Sequence, residues 1–238
     1  MRYFVLLLVI SLASCSSPEK QLSGKELLEK SIQYHDPKGQ WSTAEFTLRI
    51  QEPRIQNPER FSLVYMNNKN GAFKLMRNRG EKIASYGVNT EGNVTVLLDN
   101  KSIEDSLAIK KYMLQPERVN IYKNSYHTML GLPMSLNKTL VSKINTVSEA
   151  NFNGVPAYKL DIELKRKVFS NHWTLYFSDK DFSLLGIDIV SLNDPENGER
   201  LYFEKSIQIG DMTMPRMKHW YDLNETYLGS DIIVYEIK

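Results

Sequence analysis

The chain of 238 residues carries 30 Lys and Arg against 28 Asp and Glu, a formal net charge of +2. With that balance and no basic stripe, nucleic acid is not expected as a partner. One cysteine excludes an internal disulfide, so stability has to come from an apolar core, which the 42% hydrophobic content can supply.

The chain opens on a three-part export signal. Arg2 supplies a positive start, Phe4 to Ala13 an apolar run, and small residues lead to Cys15. The apolar run is about half of the ~20 residues a membrane-spanning helix needs. The sequence Leu12-Ala13-Ser14-Cys15 resembles the lipobox of bacterial lipoproteins. That resemblance implies cleavage between Ser14 and Cys15, followed by acylation of Cys15. A lone cysteine at this place fits modification better than an unpaired thiol in an oxidising compartment. One acyl chain anchors marginally, but two or three hold firmly. Ser16 follows the cysteine where an aspartate would resemble an inner-membrane retention signal, so the outer membrane is expected, on either face. Residues 1–14 thus read as signal, 15–22 as a lipidated tether, and 23–238 as a single domain.

The first folded element is expected to be a helix. Ser23-Gly24-Lys25-Glu26 has the capping-box form, Leu27, Leu28 and Ile32 follow at helical spacing, and Asp36-Pro37-Lys38-Gly39 ends it. The period then becomes two. Phe46, Leu48 and Ile50 alternate with polar residues until Pro53. Phe61 to Met66, Ala72 to Met76, Ile83 to Val88 and Val94 to Leu98 are further short strands between Asn- and Gly-rich turns. A helical interlude follows, with one start at Ser102 to Asp105 and another at Pro116. Val119, Tyr122, Tyr126 and Met129 form a stripe that ends at Gly131 and Pro133.

Strands then resume: Tyr158 to Leu164, Trp173 to Phe177, Leu185 to Ile189, Leu201 to Ile207, Met214 to Tyr221 and Asp231 to Ile237. Short connections make an antiparallel meander. Helices do not alternate with strands, which argues against a TIM barrel or a doubly wound sheet.

An export signal, one amphipathic helix, a long meander and a helical insertion are together similar to the LolA fold. Gly154 to Leu160, Trp173 to Phe177 and Asp181 to Gly186 resemble the order found in outer-membrane lipoprotein-sorting-like proteins. Ile32 to Trp41 and Met129 to Met134 resemble an uncharacterised lipoprotein family common in Bacteroidetes. The implied fold is α+β: a strongly curved antiparallel sheet, an incomplete barrel, wrapped around the N-terminal helix and the mid-chain helical insertion. LolA is a soluble shuttle. An anchor at Cys15 makes a membrane-held binder, like the acceptor LolB, the closer analogue.

Candidate chemistry is sparse. His35, His127, His172 and His219 have no metal-ligand spacing. There is no GxSxG elbow and no phosphate loop, and Glu45, Asp161 and Glu163 fall on the polar side of their strands. No metal, no cofactor and no catalysis are expected, and a monomer is. Three Asn-x-Thr sites, at Asn93, Asn137 and Asn224, are expected to be silent. Asp105-Ser106-Leu107 resembles an O-glycosylation motif of Bacteroidetes envelope proteins.

Aromatic content is the more suggestive feature, with 13 Tyr, 9 Phe and 3 Trp. Tyr122, Tyr126 and Met129 are the candidates for one wall of an apolar pocket, and Trp173, Leu175, Phe177 and Phe203 for the facing wall. The expected role is a membrane-anchored envelope lipoprotein binding a lipid, an acyl chain or a lipoprotein. The alternative is an envelope interaction module with a filled core and no ligand.

Overall fold

The computed structural model describes residues 22–191 and 194–237. It is an α+β structure in which one antiparallel sheet bends into an incomplete barrel around its helices. Twelve strands are β1 (Glu45–Gln51), β2 (Phe61–Asn67), β3 (Phe73–Arg79), β4 (Lys82–Val88), β5 (Val94–Leu98), β6 (Val141–Phe152), β7 (Val155–Val168), β8 (Ser170–Ser178), β9 (Leu184–Ser191), β10 (Asp194–Ile209), β11 (Met212–Asp222) and β12 (Tyr227–Ile237). Their order across the sheet is β5-β4-β3-β2-β1-β12-β11-β10-β9-β8-β7-β6. Two meanders therefore meet where β1 pairs with β12, and the edges β5 and β6 do not join each other.

The helices are α1 (Gly24–His35), α2 (Ser106–Tyr112) and α3 (Arg118–Leu130). Among the described residues no helix is long and apolar enough to cross a membrane. The capping box of α1 is formed: Glu26 N–H donates to Ser23 Oγ at 3.2 Å, and Ser23 N–H donates back to Glu26 Oε2 at 3.0 Å. Gly24 lets the helix press close on the sheet, because a Cβ there would lie 2.4 Å from the carbonyl oxygen of Asn145 and 2.7 Å from Leu160. At the other end of α1, His35 is buried. Leu184 N–H donates to its Nε2 at 3.0 Å, so Nδ1 carries the proton and donates to Thr213 O at 2.6 Å. This histidine closes the helix by tying it to β9 and β11. Burial holds its pKa below the ordinary histidine value.

The interlude after β5 differs slightly from the sequence expectation. Asp105 is the N-cap of α2, accepting from Leu107 N and Ala108 N, so Ser102 to Ile103 stay outside the helix. The second helix begins at Arg118, after a turn at Pro116 and Glu117. β6 was absent from the sequence reading altogether. It is an edge strand that buries only Val141 and Phe152, so it carries little apolar alternation.

Side-chain alternation divides the sheet into an inner and an outer face. The inner face supports two apolar cores. The first gathers Phe46, Leu48, Val64, Phe73, Leu75 and Tyr86 with Val119 and Leu130 of α3. The second gathers Leu160, Ile162, Trp173, Leu175, Phe177, Ile187 and Leu201 with Leu27 and Leu28 of α1.

Candidate functional site

A cavity of about 540 Å³ opens at the seam between the two cores, under α3. Its size falls within the range of small-molecule pockets. The walls are apolar: Ile121 and Met129 from α3, Phe169 from the β7–β8 turn, Trp220 from β11 and Leu228 from β12. Phe169 holds a left-handed conformation, φ 61°, and packs edge-on to Trp220 with ring centroids 5.6 Å apart. Charged groups share the lining, with Trp220 donating to Asp231 at 2.8 Å. Arg54, Arg60 and Arg77 face the cavity together with Glu52, Glu199 and Asp231.

The charged residues arrive by strand parity. Glu52 continues the inward series Phe46, Leu48, Ile50; Arg77 continues Phe73, Leu75; Ser62 precedes Val64 and Met66. Lys218 falls between Met214 and Trp220 in the same phase, and Glu199 leads into Leu201. Each would be an ordinary apolar core position by its pattern.

Glu52 is 3% exposed and is the hub. Arg77 Nη2 donates to both its oxygens, at 3.0 and 2.8 Å, and Arg60 Nε donates at 3.2 Å. Ser62 Oγ donates to Oε2 at 2.6 Å and Tyr126 Oη to Oε1 at 2.5 Å. With both hydroxyl protons committed to Glu52, the oxygens are free to accept: Arg77 Nε donates to Ser62 Oγ at 3.0 Å, and Arg77 Nη2 donates to Tyr126 Oη. Burial opposes ionisation of Glu52, but Arg77, Arg60 and the two hydroxyls outweigh it, and its pKa lies below the ordinary glutamate value. Burial and the adjacent carboxylate push the Tyr126 phenol far upward, so it remains a donor. A buried charge cluster persists only with this degree of compensation.

A second cluster sits across the cavity. Arg54 pairs with Asp231 at 2.6 Å and donates to Ser230 O at 2.6 Å, while Trp220 Nε1 donates to Asp231 Oδ2 at 2.8 Å. Below it, Lys218 is 2% exposed, and among the described residues its ammonium donates only to Pro215 O, at 3.4 Å. Burial pushes its pKa down to about 8, against the pull of Asp231. A void of about 30 Å³ beside it, bounded by Glu52, Tyr126 and Asp231, is large enough for one water molecule. The Glu199 side chain makes no hydrogen bond or ion pair among the described residues, and burial raises its pKa.

The residues singled out from sequence divide between two places. Tyr122, Tyr126 and Met129 line the cavity. Trp173, Leu175 and Phe177 lie in the filled part of the second core, with Phe203 half-buried against it, and none of the four faces the cavity. Ser14 and Cys15 lie outside the described residues. Glu45 bonds Tyr65 and Asn67 at the surface, and Asp161 accepts from Thr174. His127 packs at a tilt against Trp41, ring centroids 5.2 Å apart, and His219 bonds Ser230. Among the described residues no group of His, Cys, Asp and Glu could hold a metal ion.

A model of a family of unknown function, DUF6503, matches residues 1–236. No curated protein matches the sequence. Similar solved structures include a LolA superfamily protein from Nitrosomonas europaea, 12% identical, with a TM-score of 0.54 over 91% of this chain and 92% of that one. A candidate outer membrane lipoprotein-sorting protein domain from Vibrio parahaemolyticus is 10% identical, with a TM-score of 0.51 over 90% and 92%. A DUF1329 family protein from Desulfovibrio piger is 11% identical, with a TM-score of 0.52 over 89% and 90%. At these identities the likeness is one of fold.

Proposed function

The chain belongs to the DUF6503 family, and we propose that it is a cell-envelope lipoprotein, anchored through Cys15, that binds an amphiphilic lipid without chemical turnover. The observation that carries this reading is the cavity: about 540 Å³ lined by five apolar residues together with a set of charged groups. Apolar walls reward burial of an acyl chain at ~0.8 kcal/mol per methylene. Ten methylenes contribute roughly 8 kcal/mol before the cost of association. The charged groups supply donors and acceptors for a head group, as amphiphile sites require. The fold shared with a LolA superfamily protein and the lipobox-like Leu12 to Cys15 support an envelope setting.

The test is native mass spectrometry of residues 16–238 produced without the anchor, followed by extraction and lipid analysis. The expected result is a co-purifying or readily loaded lipid at near-stoichiometric amount. Met129→Trp, which projects an indole into the cavity, is expected to abolish loading while leaving the fold intact. A protein that stays lipid-free when offered single-chain phospholipids overturns the reading and leaves an interaction module with protein partners.

A further inference from the structure

We infer that the cavity selects an amphiphile with a zwitterionic head group, one carrying a phosphate and an ammonium together. This presupposes the lipid-binding role proposed above and specifies its ligand.

The inference comes from charge pairing. Three guanidinium groups and three carboxylates line the cavity, so its formal charge is zero, yet the charges do not pair one to one. Arg54 and Asp231 satisfy each other at 2.6 Å. Glu52 is shared by Arg77 at 2.8 Å and Arg60 at 3.2 Å. One guanidinium is therefore in excess at the Glu52 cluster. Glu199 is the matching deficit: a carboxylate on the cavity wall with no ion pair among the described residues.

Arg60 is the group placed to use the excess. It meets Glu52 through Nε alone, and its two Nη groups make no hydrogen bond to the described residues. That planar pair of donors matches two oxygens of a phosphate. Arg77 and Arg54 add positive potential at the same place, and burial with these two neighbours already lowers the Arg60 pKa. On the other side Glu199 stands in the field of Arg54 and Asp231, partly removed from water.

Three head-group classes can be weighed on these terms. A neutral head leaves both residual charges uncompensated in a partly buried site. An anionic head pairs with Arg60 and leaves Glu199 facing additional negative charge. Only a head with both signs neutralises both, and an uncompensated charge in a partly buried site is the costly outcome. The apolar wall at Phe169, Trp220 and Leu228 takes the tail.

The experiment compares four single-chain lipids of equal acyl length on the anchor-free protein, by titration calorimetry below their micelle concentrations: lysophosphatidylethanolamine, lysophosphatidylcholine, lysophosphatidylglycerol and monoacylglycerol. The zwitterionic pair is expected to bind roughly tenfold tighter than the other two, about the contribution of one charge-assisted hydrogen bond. Ethanolamine is expected to bind at least as tightly as choline, because Glu199 can accept a hydrogen bond from a primary ammonium; a clear preference for choline would overturn the role given to Glu199. Glu199→Gln is expected to erase the advantage over lysophosphatidylglycerol, and Arg60→Gln the advantage over monoacylglycerol. Equal binding of all four, or an unchanged preference in Glu199→Gln, overturns the inference while leaving lipid binding standing. Failure of all four to bind overturns the proposed function itself. Thermal melting of ligand-free Glu199→Gln checks the premise separately: the variant is expected to melt no lower than the parent protein, and a clear drop would reveal a partner for Glu199 and sink the charge argument. If either variant fails to fold, the ranking of the four lipids on the parent protein still decides.

Discussion

The two cores of this sheet obey one alternation rule and arrive at opposite interiors. Around α1, the inward positions of β7 to β9 are apolar and fill the space, with Leu160, Leu175 and Phe177 wholly buried. Around α3, the same inward parity on β1, β2 and β3 ends in Glu52, Ser62 and Arg77. The first arrangement needs nothing more than shape. The second needs a closed set of donors and acceptors, and the space such groups cannot pack is the cavity at the seam. Polar residues standing in phase with the apolar pattern mark the side of the sheet on which the cavity opens.

The largest effect expected from breaking that contrast is at Glu52. Glu52→Gln leaves Arg77, 5% exposed, without its counter-charge, and urea unfolding is expected to show a loss of ~3–5 kcal/mol. In the filled half, Leu175→Ala is expected to cost ~2–5 kcal/mol, with lipid capacity unchanged. Met129→Ala borders space that is already open, so its cost belongs at the low end of that range.

Lys218 sharpens the comparison through pH. Its folded pKa of about 8 lies below its ordinary value of 10.5. Below pH 8 both states hold the proton; between the two values the unfolded chain holds more, so stability rises with pH there, by at most ~1.4 kcal/mol per unit. The parent protein is expected to gain stability from pH 8 toward 10 relative to Lys218→Met, whose denaturation midpoint lacks that component. Equal slopes for the two proteins would show that Lys218 is not buried. The smallest effect is local: Ser23→Ala removes the cap of α1 and is expected to lower stability by ~1 kcal/mol.

Strand positions were legible wherever one face is apolar. Phe46-Leu48-Ile50 and Trp173-Leu175-Phe177 gave β1 and β8, and Ser23 with Glu26 gave the start of α1 to the residue. β6 was not legible, since an edge strand with mostly solvated side chains has no alternation to read. The α3 wall was visible as a helical stripe. The clean alternation of Trp173, Leu175 and Phe177, with Phe203, belongs to closely packed core and not to the cavity wall. The charged lining declares itself by the opposite signal, a charged residue standing where the pattern calls for an apolar one. Glu52 after Ile50, Arg77 after Leu75 and Lys218 before Trp220 all carry it. What remained out of reach is pairing across distance, such as Arg77 with Tyr126, which only the folded sheet brings together.

The pairing of β1 with β12 has a bearing on how the molecule is made. Thr47 is opposite Ile237, so a ribosome delivers one strand of this pair long before its partner. Until then β1 presents a free edge of backbone donors and acceptors, the kind of edge that recruits wrong partners. Contacts this remote in sequence also form slowly. The outer edge of β1 is therefore the place in this sheet where mispairing has the longest opportunity while the chain folds.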